Sequence, residues 1–344
     1  MIQFFTQGGI FLNNNLIGNE PGAIIGPIST VLGWIINFIY DIWSFVFTPA
    51  GALGVSIIIM TIIVRMALFP TQFKMMSNTM KMRAMKPEMD KIKEKYGNSK
   101  DPELRRKMSA EMQALNQKHG VNMLASCLPM LITWPLFIGL FRVLDQAFLF
   151  VGNVEYAYTA LSMAIIDLGP EFISDIIGPI AVNRTPVGTA IFLDAAADMN
   201  RLIHVFSDTD WNTLFSNISG QQLANIQYLY DQKVSIQTFL TLNLIAPAGT
   251  NWPGVMLPLL SATTMLLSQY LMMRTNPPMD DQAKMMQKVM LLIFPLMFGW
   301  FTIMAPAGVG LYWVMLNVVM IGQHQFIHRY YIRKAEKAKD EKVR

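Results

Sequence analysis

Apolar residues are grouped along this chain in runs long enough to cross a lipid bilayer. A transmembrane helix needs about 20 consecutive, mostly apolar residues. Five runs meet this requirement, and we predict that each is a transmembrane helix: residues 51–73, 121–144, 253–273, 285–305 and 306–328. The pattern therefore predicts an all-α polytopic membrane protein with five spans.

An earlier apolar run, residues 24–47, is interrupted by polar and helix-breaking residues such as Pro27 and Asp41. We predict that it forms an amphipathic helix lying in the membrane interface, within an N-terminal segment of residues 1–50. Three of its aromatic side chains would lie at headgroup depth: Trp34, Tyr40 and Trp43. A sixth span is the alternative. Residues 1–23 carry neither the basic start of a signal peptide nor a lipid-accepting cysteine, so the sequence signals neither cleavage nor lipoprotein processing.

Composition agrees with a membrane protein. Of the 344 residues, 53% are hydrophobic and only 15% are charged. The mean hydropathy of +0.35 is too high for an ordinary soluble domain. The single cysteine, Cys127, excludes a disulfide, a cysteine-based zinc site or an iron–sulfur cluster within one chain. We therefore expect no metal and no cofactor.

Charge is distributed unevenly among the polar segments. Residues 71–120 carry twelve Lys/Arg and six Asp/Glu, and residues 329–344 carry seven and three. Residues 145–250 instead carry three basic and ten acidic residues. By the positive-inside rule, the two basic segments are cytoplasmic and the acidic one is outside. A cell-membrane protein with its N-terminus outside and its C-terminus in the cytoplasm satisfies all three segments.

Residues 74–120, between the first two predicted spans, are expected to form a cytoplasmic helical hairpin. Its first arm ends at Gly97, and its second arm begins with Asp101 as N-cap and Pro102 in the first turn.

Three polar segments remain. We predict that residues 274–284 form a cytoplasmic loop, residues 329–344 a basic cytoplasmic tail and residues 150–235 an extracellular inserted subdomain. We expect this subdomain, whose fold the sequence does not assign, to be dispensable for the activity of the spans. The alternative is a lid packed on residues 24–47.

Arg65 lies inside the first predicted span, about 12 Å from its cytoplasmic end. A charge at that depth costs at least a few kcal/mol. One interpretation is a snorkelling arginine whose long side chain reaches the inner headgroups. The other is a charge that faces a water-filled cavity, and Thr61, one helical turn earlier, extends the polar face. The five predicted spans contain no Asp or Glu, which disfavours an ion-coupled transporter.

Other polar residues in the spans are weaker candidates: Gln269, Tyr312, Trp313, Asn317 and Gln323. Singly, such residues more often pack or form hydrogen bonds between helices. His324 and His328 are one turn apart, but without a third ligand we expect a solvated helix end. The sequence contains no hydrolase, metalloprotease or ATPase motif, so we do not expect an enzyme. Without a ring of charges or a filter loop, an ion channel is also disfavoured.

Methionine is abundant, with 27 residues in the chain. Several lie in the predicted hairpin, among them Met82, Met85 and Met89, close to Pro87. Flexible thioether side chains suit a surface that accepts many apolar sequences. We predict such a receiving surface at these four residues. The alternative is that the methionines pack the two arms of the hairpin against each other.

Together these features resemble the YidC insertases, relatives of the mitochondrial and chloroplast inner-membrane insertases. The resemblance covers residues 24–148 and 236–332. It rests on the following motifs: Thr61-Ile62-Ile63-Val64-Arg65, Leu68-Phe69-Pro70, Met82-Arg83-Ala84-Met85-Lys86-Pro87, Cys127-Leu128-Pro129, Trp134-Pro135-Leu136-Phe137, Pro306-Ala307-Gly308 and Leu311-Tyr312-Trp313. The family's signature arginine falls on Arg65, its groove threonine on Thr61 and its last-span aromatic position on Tyr312. The insertion at residues 150–235 departs from the short loop usual in five-span relatives.

The resemblance implies five spans around a hydrophilic groove that opens to the cytoplasm and the lipid. Polar extracellular parts of a nascent membrane protein, the client, would cross through this groove while its apolar segment enters the lipid. The ribosome, the Sec translocon and anionic lipids are expected partners, and DNA is not. A membrane chaperone or assembly scaffold without translocation activity is the alternative function.

Overall fold

The computed structural model describes residues 24–97, 101–121, 128–184, 192–249, 252–275 and 281–343, and these are overwhelmingly helical. In chain order the helices are α1 (Ile25–Val46), α2 (Ala52–Ala67), α3 (Phe69–Ala84), α4 (Lys86–Tyr96), α5 (Pro102–Lys118), α6 (Leu128–Asp145), α7 (Ala147–Phe150), α8 (Gly152–Ile166), α9 (Pro170–Phe172), α10 (Gly178–Arg184), α11 (Ala196–His204), α12 (Asp208–Ser216), α13 (Gly220–Gln237), α14 (Met256–Thr275), α15 (Asp281–Met304) and α16 (Ala307–Val343). A π-helical segment, Ile173–Ile177, joins α9 to α10. Two short strands, β1 (Thr238–Phe239) and β2 (Leu242–Asn243), form an antiparallel hairpin.

The described residues fall into two compact units. The first unit takes its residues from Met1–Met60, Leu136–Pro258 and Trp300–Tyr312. The second takes its residues from Thr61–Pro135, Leu259–Gly299 and Trp313–Arg344.

Three described segments are long and apolar enough to cross a membrane: Ile25–Val46, Met256–Arg274 and Met285–Met304. A fourth candidate is the bent pair Ala52–Ala67 and Phe69–Met82, if the two helices form one span. The predicted all-α membrane fold is therefore confirmed. The total of five spans and the interfacial placement of residues 24–47 remain predictions.

The first predicted span, residues 51–73, contains a helix break that its apolar pattern did not reveal. Helix α2 ends at Ala67, α3 begins at Phe69, and the two axes differ by 50°. Pro70 explains the break, because proline has no backbone N–H and its ring crowds the preceding turn. Arg65 therefore lies in the last turn of α2, and not in the middle of a continuous helix that ends at residue 73.

The predicted helical hairpin is present, but its first arm is also broken, at Met85. Helices α4 and α5 pack against each other, and Asp101 caps α5 by accepting a hydrogen bond from the Glu103 N–H (2.9 Å). Lys95 and Tyr96 on α4 both donate to Glu111 on α5. These contacts fix the register of the two arms.

Helix α1 has three distinct faces along its length. One face is buried, and a second is apolar but exposed, comprising Val31, Trp34, Phe38, Ile42 and Phe45. The third is polar and comprises Thr30, Asn37, Asp41 and Ser44. An exposed apolar stripe beside a polar one suits a helix that lies along a membrane interface.

The inserted subdomain begins on the polar face of α1. The Asn37 Oδ1 atom accepts a hydrogen bond from the Gly152 N–H (2.8 Å), and Asp41 Oδ1 accepts one from Asn153 Nδ2 (3.1 Å). Phe150 lies so close to Gly33 that an added Cβ there would be 2.7 Å from its ring. The start of the insertion is thus attached to residues 24–47, a contact that favours the lid alternative.

The rest of the insertion is a helical bundle, a fold that the sequence left unassigned. Helix α8 packs against α11 and α13, and Lys233 on α13 is buried between aromatic rings. Its Nζ atom lies 4.9 Å from the ring centre of Tyr158, 4.8 Å from that of Trp211 and 5.6 Å from that of Tyr230. Cation–π contacts of this kind contribute about 0.5–2 kcal/mol each, so they offset part of the cost of burying the charge.

His204 completes this aromatic cluster. Its ring centre is 5.2 Å from that of Phe148, and its Nδ1 atom is 3.3 Å from the Tyr158 hydroxyl. Burial, and then the nearby charge of Lys233, lower the pKa of His204 from 6.5 to about 4. The folded subdomain therefore holds this histidine neutral at pH values where the unfolded chain would protonate it.

We predict that acidification destabilises the inserted subdomain between about pH 6.5 and pH 4. In this range the unfolded state binds a proton that the folded state does not, so stability falls as the pH falls, by at most about 3 kcal/mol. Hydrogen exchange of α11 and α13, followed by mass spectrometry, measures this loss in the full chain. His204→Gln should make the stability of the subdomain less dependent on pH. A variant as acid-sensitive as the parent would show that another group is responsible.

Candidate functional site

Buried polar side chains occur on three apolar helices of the second unit. We call this set the polar seam: Thr61 and Arg65 on α2, Ser261 and Ser268 on α14, and Asn317, Gln323 and His324 on α16. Two hydrogen bonds connect α16 to the other two helices. The seam is unusual because a lipid-facing surface of the same helices would carry only apolar side chains.

Arg65 is the one formally charged member of the seam, and its side chain is only 5% exposed. A snorkelling arginine would instead extend its guanidinium into solvent or headgroups. Thr61, one turn earlier on the same face of α2, is also buried. The structure therefore favours the interpretation in which Arg65 faces other protein groups rather than the lipid.

Gln323 connects α16 to the backbone of α2. Its Nε2 atom donates a hydrogen bond to the carbonyl oxygen of Arg65 at 3.0 Å. The last hydrogen bond of the α2 backbone ladder runs from the Leu68 N–H to the Val64 carbonyl (3.0 Å). The Arg65 carbonyl is the next one in the chain, at the point where the helix ends.

Asn317 connects α16 to α14. Its Nδ2 atom donates to Thr264 Oγ1 at 3.2 Å. Ser261, Thr264 and Ser268 follow one another at spacings of three and four residues, which places them on one face of α14. Gln269 lies beside this face and is half-buried.

The seam buries polar atoms such as Ser268 Oγ and Gln323 Oε1, for which the described part of the chain offers no hydrogen-bond partner. Leaving such an atom unsatisfied in a dry interior costs about 1–3 kcal/mol. The seam is therefore better suited to contact with water or with a polar ligand than to a closed apolar interior.

The structure brings together only some of the residues predicted from the sequence. Arg65, Thr61 and Asn317 belong to the seam. Trp313 is buried and packs edge-on against Phe298, with ring centres 4.9 Å apart. Tyr312 is buried in the first unit.

Sequence reasoning named Gln323 only as a weak candidate, and it missed three seam members or gave them another role: Ser261, Ser268 and His324. A seven-residue spacing was their only signal, since it relates Ser261 to Ser268 and Asn317 to His324 on common helix faces. His324 was predicted at a solvated helix end, and this was wrong because its side chain is only 6% exposed. Its ring stacks on His328, with centres 6.3 Å apart. Within the described ranges, no group of three or more His, Cys, Asp or Glu residues could hold a metal ion.

The hairpin methionines lie mainly inside the hairpin. Met85 is fully buried in a cluster with Leu115 and Val121, and Met82 and Met89 pack against this cluster. Pro87 is exposed at the start of α4. This arrangement favours the packing alternative for the three methionines, and their predicted receiving role stays a proposal.

Comparison with known proteins places the chain in a family. The sequence profile described as 60Kd inner membrane protein matches residues 45–335. The chain belongs to the 60Kd inner membrane protein family. The match covers every residue of the polar seam, and the resemblance to YidC insertases is confirmed.

Several members of this family are similar over most of the chain. A membrane protein insertase YidC of Oceanobacillus iheyensis is 26% identical over 317 residues, which cover 90% of this chain and 88% of the relative. The membrane protein insertase MisCA of Bacillus subtilis is 28% identical over 270 residues, covering 78% and 68%. The inner membrane protein ALBINO3 of Arabidopsis thaliana chloroplasts is 27% identical over 314 residues, covering 90% and 54%. Family and apolar helices together indicate a multi-pass cell-membrane protein.

Proposed function

We propose that this protein is a membrane protein insertase in which the polar seam forms the groove for the client. The observation that carries the proposal is the burial of Arg65 in the unit that also buries polar side chains of α14 and α16, one of which, Gln323, bonds to its backbone. The names of the similar proteins, membrane protein insertase YidC and MisCA, support the same function. The substrates would be nascent membrane proteins.

The energetics of such a step need no ATP. A charged residue at the centre of the bilayer costs about 2.5–3.5 kcal/mol on insertion scales. Each Leu, Ile, Phe or Val in a new span gains about 0.3–0.6 kcal/mol on the same scale. A span of about 20 such residues thus gains roughly 6–12 kcal/mol, enough to move a short polar tail with one or two charges. The proposed step involves no covalent chemistry.

The groove would act on the barrier rather than on the overall free energy. A polar cavity shortens the apolar distance that a client tail must cross, and Arg65 attracts acidic residues in that tail. Lipid burial of the apolar segment then drives the reaction forward. In this proposal the N-terminus is outside, the C-terminus is cytoplasmic, and the hairpin first meets the client as it leaves the ribosome or the Sec translocon.

A membrane chaperone or assembly scaffold is the second candidate function. Helix α15 favours it, because many of its large apolar side chains are exposed, including Leu292, Ile293, Leu296 and Trp300. Such a surface can hold a client span without moving any polar segment. Insertases and chaperones differ in whether the polar tail changes sides.

We predict that Arg65→Ala reduces insertion of a client with an acidic tail more than insertion of the same client with a neutral tail. A charge-assisted contact contributes about 1.5–3 kcal/mol, so the ratio of the two insertion rates should fall about tenfold or more. Arg65→Lys keeps the charge, so its ratio of acidic-tail to neutral-tail insertion rates should stay close to that of the parent protein. Protease protection of the tail measures both rates. An unchanged ratio in the alanine variant would contradict the electrostatic role of Arg65.

A second prediction concerns the hairpin of α4 and α5. Replacing residues 86–120 with a Gly/Ser linker should leave the membrane helices folded, because the hairpin has its own core around Met85 and Leu115. The variant should melt in detergent near the parent temperature but crosslink poorly to nascent chains. The parent protein, whose hairpin is intact, is the control. If the linker variant captures and inserts clients at the parent rate, the hairpin is only a connector.

A further inference from the structure

The hydrogen bond between Gln323 and the Arg65 carbonyl joins two residues that are 258 positions apart in the chain. Gln323 is buried on α16, and the bond is directed to the backbone of α2 rather than to the guanidinium. The bond therefore constrains the position of the backbone at residue 65, and it does not depend on which side chain residue 65 carries.

The Arg65 carbonyl lies at the end of a helix. Helix α2 ends at Ala67, and the ring of Pro70, which crowds the carbonyl four residues earlier, explains the break. Carbonyls in the last turn of a helix need donors from outside the ladder, and an amide side chain is one way to supply them. Gln323 provides such a donor at the residue that carries the buried charge.

A helix end without such a contact frays within its last turn. Arg65 lies in that turn, so fraying would displace its guanidinium relative to the rest of the seam. Small displacements matter here, because the strength of an interaction between a charge and a client carboxylate depends on distance.

We propose that Gln323 is a positioning residue that fixes the last turn of α2 and so holds Arg65 in place toward the acidic part of a client. The inference rests on the proposed function of the seam. Gln323 need not touch the client in this role. A purely structural role would stabilise the helices without any preference among clients.

The test uses Gln323→Met in the full-length protein, because methionine has a similar length and no hydrogen-bond donor. Gln325→Met, two residues along α16 and half-buried, is the matched control. Each variant is reconstituted into liposomes, and the ratio of insertion rates for acidic-tail and neutral-tail clients is measured. Gln323→Met should lower this ratio about threefold to tenfold, the effect of losing one hydrogen bond, and Gln325→Met should leave it unchanged.

The same pair of clients is then measured with Arg65→Ala and with Arg65→Ala combined with Gln323→Met. Positioning predicts that Gln323→Met has no further effect on the ratio once Arg65 is absent. Melting in detergent should fall equally for Gln323→Met in both backgrounds, because its bond goes to the backbone. A Gln323→Met variant that slows both clients equally, or lowers the ratio as much without Arg65, overturns the inference. If Arg65→Ala alone leaves the ratio unchanged, the proposed role of Arg65 fails instead.

Discussion

The cost of burying a positive charge among apolar helices is the constraint on which the seam depends. Arg65 is almost wholly buried, and a charge in such a place is tolerated only if polar groups surround it. Buried hydroxyl and amide side chains on α14 and α16 belong to the same unit, and Gln323 of α16 bonds to the Arg65 backbone. Stability alone does not explain the arrangement, since apolar residues of similar volume would pack these helices at no such cost.

The end of helix α2 lies next to this buried charge. Pro70 explains why α2 ends just after Arg65, and Gln323 binds the Arg65 carbonyl in this last turn. The chain bends by 50° at the break between the apolar helix α2 and the next helix, α3. The end of the helix and the contact that connects it to α16 thus lie within one turn of each other.

Long apolar runs made the membrane helices predictable from sequence. Helix α14, Met256–Thr275, begins within three residues of its predicted start. Arg65 and Thr61 were also predictable, because both lie on one helix at a spacing of four residues. Serine in a membrane helix gives no comparable signal, since its hydroxyl can bond to the carbonyl of the preceding turn.

The remaining features depend on partners far away in the chain. The role of Gln323 follows from its hydrogen bond to Arg65, and that of Met85 from its burial against Leu115 and Val121. Neither contact is visible in the sequence. The inserted subdomain shows the same limit. Its fold was not assigned from the sequence, and the attachment of Gly152 and Asn153 to α1 rests on polar residues that no periodicity relates.

Insertion by the purified protein alone tests the central claim most directly. Liposomes that contain only this protein are mixed with a purified single-span client that has a short acidic tail, and protease is added outside. The account predicts that the tail becomes protected well above the level in empty liposomes, without ATP. A client that binds the proteoliposomes while its tail stays accessible to protease would contradict the account and favour a chaperone or scaffold.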